Sequence, residues 1–132
     1  MKIIADTNVL LRDVLRDDPH QAILAAQVLE SATLVAIPTS VICEFVWVLR
    51  SGYKYSANEI ASAIRELLDS DNVVMEQLAV KAGLRTLEAG GDFADGAVAH
   101  EGFRLGADEF VTFDKKAATL LQSQGKRTRL LS

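Results

Sequence analysis

The first residues leave few folding options. Lys2 is followed by Ile3-Ile4-Ala5 with no polar alternation, and the run stops at Asp6. An uninterrupted apolar run of this length reads as a strand buried on both faces, the habit of parallel sheets. Val9, Leu10, Leu11, Val14 and Leu15 then recur at helical spacing. Asp6 is thereby placed on the turn between a central strand and a helix. In open α/β sheets ligands bind at that carboxyl edge of the strands, so Asp6 is the first candidate for chemistry.

The same alternation continues along the chain. Asp17-Asp18-Pro19 ends the first helix, and Pro19 suits the first turn of a second, running to about Glu30. Its expected core face is Ile23, Leu24, Val28 and Leu29, with His20 on the surface. Leu34–Ile37 reads as a second buried strand, after which Thr39 or Ser40 is placed to cap a helix. Gly52-Tyr53-Lys54-Tyr55 is a basic, aromatic connection, able to stack a base and touch phosphate or to serve as a plain surface loop. Ser56 and Glu59 form a capping-box pattern opening a helix through Leu68. Asn72–Met75 is a short strand, and the helix after it ends at Gly90-Gly91. Asp92 is placed to cap the next helix, where Ala94, Gly96, Ala97 and Ala99 permit close packing and His100 and Glu101 face outward. Glu109–Phe113 is a strand, Lys115–Leu121 a short helix, and Thr128–Leu131 an edge strand. Strands alternating with helices, without repeat or linker, predict one α/β domain over residues 1–132, with a mainly parallel sheet of four to five strands.

Composition narrows the class. With 132 residues and 49% hydrophobic content the chain can bury a core and is not disordered. No apolar run approaches a membrane span, and Met1–Asp6 is charged too soon for a signal peptide. Cys43 is the only cysteine, which excludes a disulfide framework and a cysteine metal site and favours a cytoplasmic setting. The net charge of −4, from 14 basic and 18 acidic residues, argues against a nucleic-acid binder taken whole. If four acids gather at one place, however, the other 14 balance the 14 bases and leave room for a local basic track.

Four carboxylates carry the argument. Asp6 and Asp114 each end a strand at a strand-to-helix turn. Glu44 is the only charge within Val41–Leu49, a helix otherwise apolar all round and expected to be buried. It must therefore face a polar cleft, pair with a base or bind a cation, and Trp47 and Val48 offer no local base. Asp95 lies one turn into the helix that Asp92 opens. Parallel strands are expected to bring all four to one cleft. Two such charges about 4 Å apart cost roughly 4 kcal/mol at an effective dielectric near 20. Divalent cations remove that repulsion, and an all-oxygen set suits Mg²⁺ or Mn²⁺ rather than Zn²⁺.

Asp6-Thr7-Asn8, Glu44 on its apolar helix, the segment from Asp92 to Ala99 and Thr112-Phe113-Asp114, in this order, resemble the PIN domain. The closer likeness is to small single-domain VapC-type toxins of bacterial toxin–antitoxin modules, and the resemblance covers essentially the whole chain. The resemblance implies a Mg²⁺- or Mn²⁺-dependent endoribonuclease whose acidic metal positions are Asp6, Glu44, Asp95 and Asp114. It implies supporting roles for Asn8 and Thr112, and a secondary one for Asp92, which is acidic in only some members. Gly96 departs from the pattern, standing where Ala is more usual. The family also implies a homodimer neutralised by a small antitoxin that covers the cleft. Arg12, Arg16, Arg50, Lys54, Lys115 and Lys116 lie near elements feeding the cleft edge and are candidates for RNA phosphate contacts.

Two other readings stand beside this one. Phosphatase-like chemistry through Asp6 calls for a second Asp two residues on, where Asn8 cannot serve as an acid. A non-catalytic protein-interaction module with a structural cation site accounts for the acidic charge, but less well for the placement of the carboxylates.

Overall fold

The computed structural model describes residues 1–132, which fall into two compact units, Met1–Gln77 and Leu78–Ser132. Seven helices alternate with five strands, and every strand pair is parallel. The fold is α/β. Its strands pair as a group of three and a group of two.

The first unit contains β1 (Lys2–Ile4), α1 (Thr7–Leu15), α2 (Pro19–Ser31), β2 (Leu34–Ala36), α3 (Thr39–Ser51), α4 (Ala57–Asp69) and β3 (Val73–Val74). Its strand order is β1-β2-β3, with Ile3 level with Val35 and Val73, and Ile4 level with Ala36 and Val74. Strand alternation sends these two rows to opposite faces. Val35 is fully buried on the first face, whereas Ile4 and Val74, on the second, are 75% and 51% exposed. The expectation that β1 is buried on both faces is therefore corrected, since Ile4 stands exposed on its second face. Within the strand group of this unit, β2 lies between β1 and β3. An apolar run reports a preference for burial; it does not specify which neighbours provide it.

Helix starts follow local chemistry. Asp18 accepts from the Gln21 N–H (3.1 Å), and Pro19 takes the first helical position of α2. Ser56 and Glu59 complete their capping box at 3.1 and 2.9 Å. For α3 the expected Thr39 or Ser40 cap is not used. Pro38 is the N-cap residue, so Thr39 lies inside the first turn, with its hydroxyl buried and without a hydrogen-bond partner.

Two helices turn faces that differ from expectation. α2 buries Ala22 and Ala25 and exposes Ile23, Leu24 and Val28 (58, 48 and 48%). It packs against α1, which presents Leu10 and Leu11. Close approach of two helices takes small side chains on one of them, and that requirement outweighs hydropathy. α3 buries Ile42, Phe45, Val46 and Leu49 but leaves Ser40, Glu44, Trp47, Arg50 and Ser51 in solvent, so it is not buried all round.

The second unit contains α5 (Gln77–Glu88), α6 (Phe93–Arg104), β4 (Phe110–Thr112), α7 (Lys115–Ser123) and β5 (Thr128–Leu130), with Phe110 level with Thr128. Gly90, just beyond α5, takes a φ of +95°, a conformation suited to glycine. Leu84, Leu87, Phe93, Ala97 and Leu121 form its core. α5 and α6 approach closely: a Cβ on Gly83 would lie 2.6 Å from the Phe93 ring. His100 and Glu101 do not face outward as expected. Both residues are half-buried, and His100 Nε2 and Glu101 Oε1 are buried without hydrogen-bond partners.

Candidate active site

Three of the candidate carboxylates begin helices. Asp6, directly after β1, accepts from the Val9 N–H at the start of α1 (3.1 Å). Asp92 accepts from the Ala94 N–H at the start of α6 (3.1 Å), and Asp114 from the Ala117 N–H at the start of α7 (3.1 Å). In each case one side-chain oxygen, Oδ1, accepts the capping bond and the other makes no hydrogen bond. An acid at this position also meets the positive end of the helix dipole. Asp6 and Asp114 stand where a strand's carboxyl end reverses direction and Asp92 where the chain turns from α5 into α6, and in all three places Asp satisfies exposed N–H groups of the helix that follows.

In the first unit, Asp6 lines a groove of about 320 Å³ between α1 and α2 with Asn8, Val9, Arg12, Gln21, Leu24, Ala25 and Val28. Asn8 is exposed beside it. Glu44 projects from the solvent face of α3 and makes no ion pair with any base. Of the three options for this side chain, the ion pair is not taken.

In the second unit, Asp92 and Asp114 both act on Asp95. Partial burial pushes the Asp95 carboxyl above the usual carboxylate range, and the charges of Asp92 and then Asp114 push it in the same direction. No base offsets them. Thr112 Oγ1 accepts the Asp114 N–H at 3.0 Å and so fixes the turn from which Asp114 projects.

The basic candidates are unequally available. Arg12 Nη1 lies 2.9 Å from Asp17, and the Tyr53 hydroxyl donates to the same carboxylate at 3.5 Å, which ties the 52–55 connection to the end of α1. Arg16 faces Asp13 at 3.5 Å. Lys54 Nζ donates to the Ser51 carbonyl (3.1 Å). Arg50, Lys115 and Lys116 are exposed. The sequence reading did not single out Trp47. It is 68% exposed, and its position three residues after Glu44 was the signal that could have found it.

A family model described as PIN domain matches residues 3–120. The chain belongs to the PIN domain family. The match runs through both units. PIN domains are generally nucleases that act on RNA or other nucleic acid and use divalent metal ions. No curated protein matches this chain. No helix of this PIN domain is long and apolar enough to cross a membrane.

The donors suit such an ion by chemistry. Asp92, Asp95 and Asp114 offer only carboxylate oxygens, and no basic side chain offsets the charges that Asp92 and Asp114 bring to Asp95, which fits a hard divalent ion. Within each unit, no three His, Cys, Asp or Glu side chains stand close enough to enclose an ion without rearranging.

Proposed function

We propose that this PIN domain is a Mg²⁺- or Mn²⁺-dependent endoribonuclease, the toxin of a toxin–antitoxin pair, acting as one nuclease domain over residues 1–132. The observation that carries this reading is Asp95, raised in proton affinity by partial burial first and then by the carboxylates of Asp92 and Asp114, with no base to relieve them. Unrelieved like charge costs stability and marks sites where charge is put to use. Asp6, Glu44, Asp95 and Asp114 are the proposed metal-holding side chains, with Asn8, Thr112 and Asp92 in support. A divalent ion would supply the activation of water and the neutralisation of charge that phosphodiester hydrolysis needs.

The chain's own residues contribute orientation. The capping bonds of Asp92 and Asp114 hold one oxygen of each and leave the other without a hydrogen bond. Thr112 steadies the Asp114 turn. Asp95 needs to be ionised to hold a cation, and its raised proton affinity sets a lower pH limit on that role. Lys115, Lys116 and Arg50 are the proposed phosphate contacts, with Arg12, Arg16 and Lys54 as weaker ones, given their existing partners. A homodimer, a small antitoxin as inhibitor and a cytoplasmic location complete the proposal.

The test is hydrolysis of structured RNA by the purified chain with Mg²⁺ or Mn²⁺ and with chelator. Cleavage that requires the ion and disappears in Asp6→Asn and in Asp95→Asn supports the assignment. Equal cleavage by parent and variants removes it.

A further inference from the structure

The solvent face of α3 consists of Ser40, Glu44, Trp47, Arg50 and Ser51. Four of these are polar. The fifth is the largest apolar side chain in the repertoire, and it is 68% exposed. Glu44 and Trp47, at i and i+3, are neighbours on the helix surface, and Arg50 follows after the same interval. A carboxylate, an aromatic ring and a guanidinium therefore run in sequence along one ridge, rising about 1.5 Å per residue. Trp47 has no apolar neighbour on this face. The Ser51 hydroxyl donates only to the Trp47 backbone carbonyl, and the ring stands largely in solvent.

We propose that Trp47 is a stacking platform for an unpaired nucleobase next to the phosphate handled at Glu44, with Arg50 contacting backbone phosphate beyond it. This deepens the nuclease reading and rests on it for the role of Glu44. It commits the substrate to single-stranded or looped RNA at the position cut. A base inside a duplex has both faces covered by its neighbours and cannot stack on a side chain, whereas an unpaired base can. An indole ring binds any base by its face, so the platform selects for strand state and tolerates sequence.

Trp47 is the only tryptophan in the chain, so intrinsic fluorescence reports on this residue alone. The experiment titrates the full chain with a single-stranded 2′-O-methyl octanucleotide, which is not hydrolysed, and with the same strand annealed to its complement. Binding is followed independently by anisotropy of an end label. The expected result is saturable quenching by the single strand and little by the duplex. Trp47→Ala should bind the single strand roughly five- to hundredfold more weakly, and Trp47→Phe should retain most of the affinity.

Single-strand binding without quenching overturns the platform, as does a Trp47→Ala variant that binds like the parent. So does emission that already reports a buried indole and shifts red on dilution, which would assign the face to a second copy of the chain. Metal-dependent cleavage measured in parallel separates the two readings. Cleavage without quenching leaves the nuclease and removes the platform. Quenching without cleavage leaves an RNA-binding surface and removes the nuclease.

Discussion

Gly96 lies directly against Thr86: a Cβ on Gly96 would stand 2.3 Å from Thr86 Oγ1 and 2.6 Å from the Ala82 carbonyl oxygen. Thr86 is buried, and its hydroxyl already donates to that carbonyl at 3.1 Å. The glycine one residue after Asp95 thus sets how closely α6 approaches α5. Glycine lowers helix propensity by about 1 kcal/mol relative to alanine, yet here the space admits nothing larger. Gly96→Ala should destabilise the chain by about 1–3 kcal/mol through overpacking, despite the gain in propensity. Urea unfolding measures this, and Thr86→Ala in the same chain should recover part of the loss. An unchanged midpoint for Gly96→Ala would show that the crossing can relax.

Asp95 gives a pH dependence of definite sign. Its folded-state proton affinity is raised, by burial first and then by Asp92 and Asp114. Between the unfolded and folded pKa the native state therefore binds more protons than the unfolded state. Its contribution is fully present below the unfolded pKa and is lost as pH rises through the folded value. The parent should lose stability relative to Asp95→Asn as pH climbs through and above the ordinary carboxylate range. Urea midpoints of both chains from acid to neutral pH test this; parallel curves would contradict the assigned environment.

Capping and metal holding can be separated at Asp6 and Asp114. Asn caps a helix about as well as Asp, whereas Ala loses roughly 1 kcal/mol. Asp6→Asn and Asp114→Asn should fold with near-parental stability yet lose metal-dependent cleavage, while the Ala variants lose both. Thermal melts alongside cleavage assays distinguish the effects. Large destabilisation in the Asn variants would indicate a role for the charge in folding itself.

A divalent ion that binds the native chain raises its stability by mass action, about 2.7 kcal/mol at a concentration one hundred times the dissociation constant. Mn²⁺ should therefore raise the melting temperature of the parent and do so much less for Asp95→Asn. Equal shifts in both would place the ion elsewhere.

Lys115 and Lys116 are exposed in the first turn of α7, beside Asp114. If both touch phosphate, reversing both charges should lower the slope of log affinity against log salt by about 1.4 for single-stranded RNA. Binding titrations at several salt concentrations measure the slope, and an unchanged slope would exclude both residues from the track.

Much of this molecule was legible because it rests on local rules. The Asp18-Pro19 start, the Ser56–Glu59 box and the cap at Asp92 each depend on residues within one turn, and all were readable. The α/β class followed from the alternation of apolar runs. Of the candidate carboxylates, Asp6 and Asp114 were found at strand ends because a reversal there needs a cap, which is again a local demand.

Hydropathy could not tell which side of an element would find a partner. Ile23, Leu24 and Val28 are the more hydrophobic side of α2, yet Ala22 and Ala25 face inward, because the distance to α1 fixes the size of what fits between them. Ile4 belongs to the most apolar run near the start of the chain and is exposed, on the same sheet face as the exposed Val74. Trp47 reads as core and stands in solvent beside Glu44. Sequence by itself determined where helices begin, where strands stop and which acids occupy those turns, since these depend on a few bonded neighbours. The nearness of Asp92 and Asp95 likewise follows from their spacing of three on one helix. Tertiary structure alone decided which faces are buried and that Asp114 acts on Asp95, since both depend on distances between segments remote along the chain.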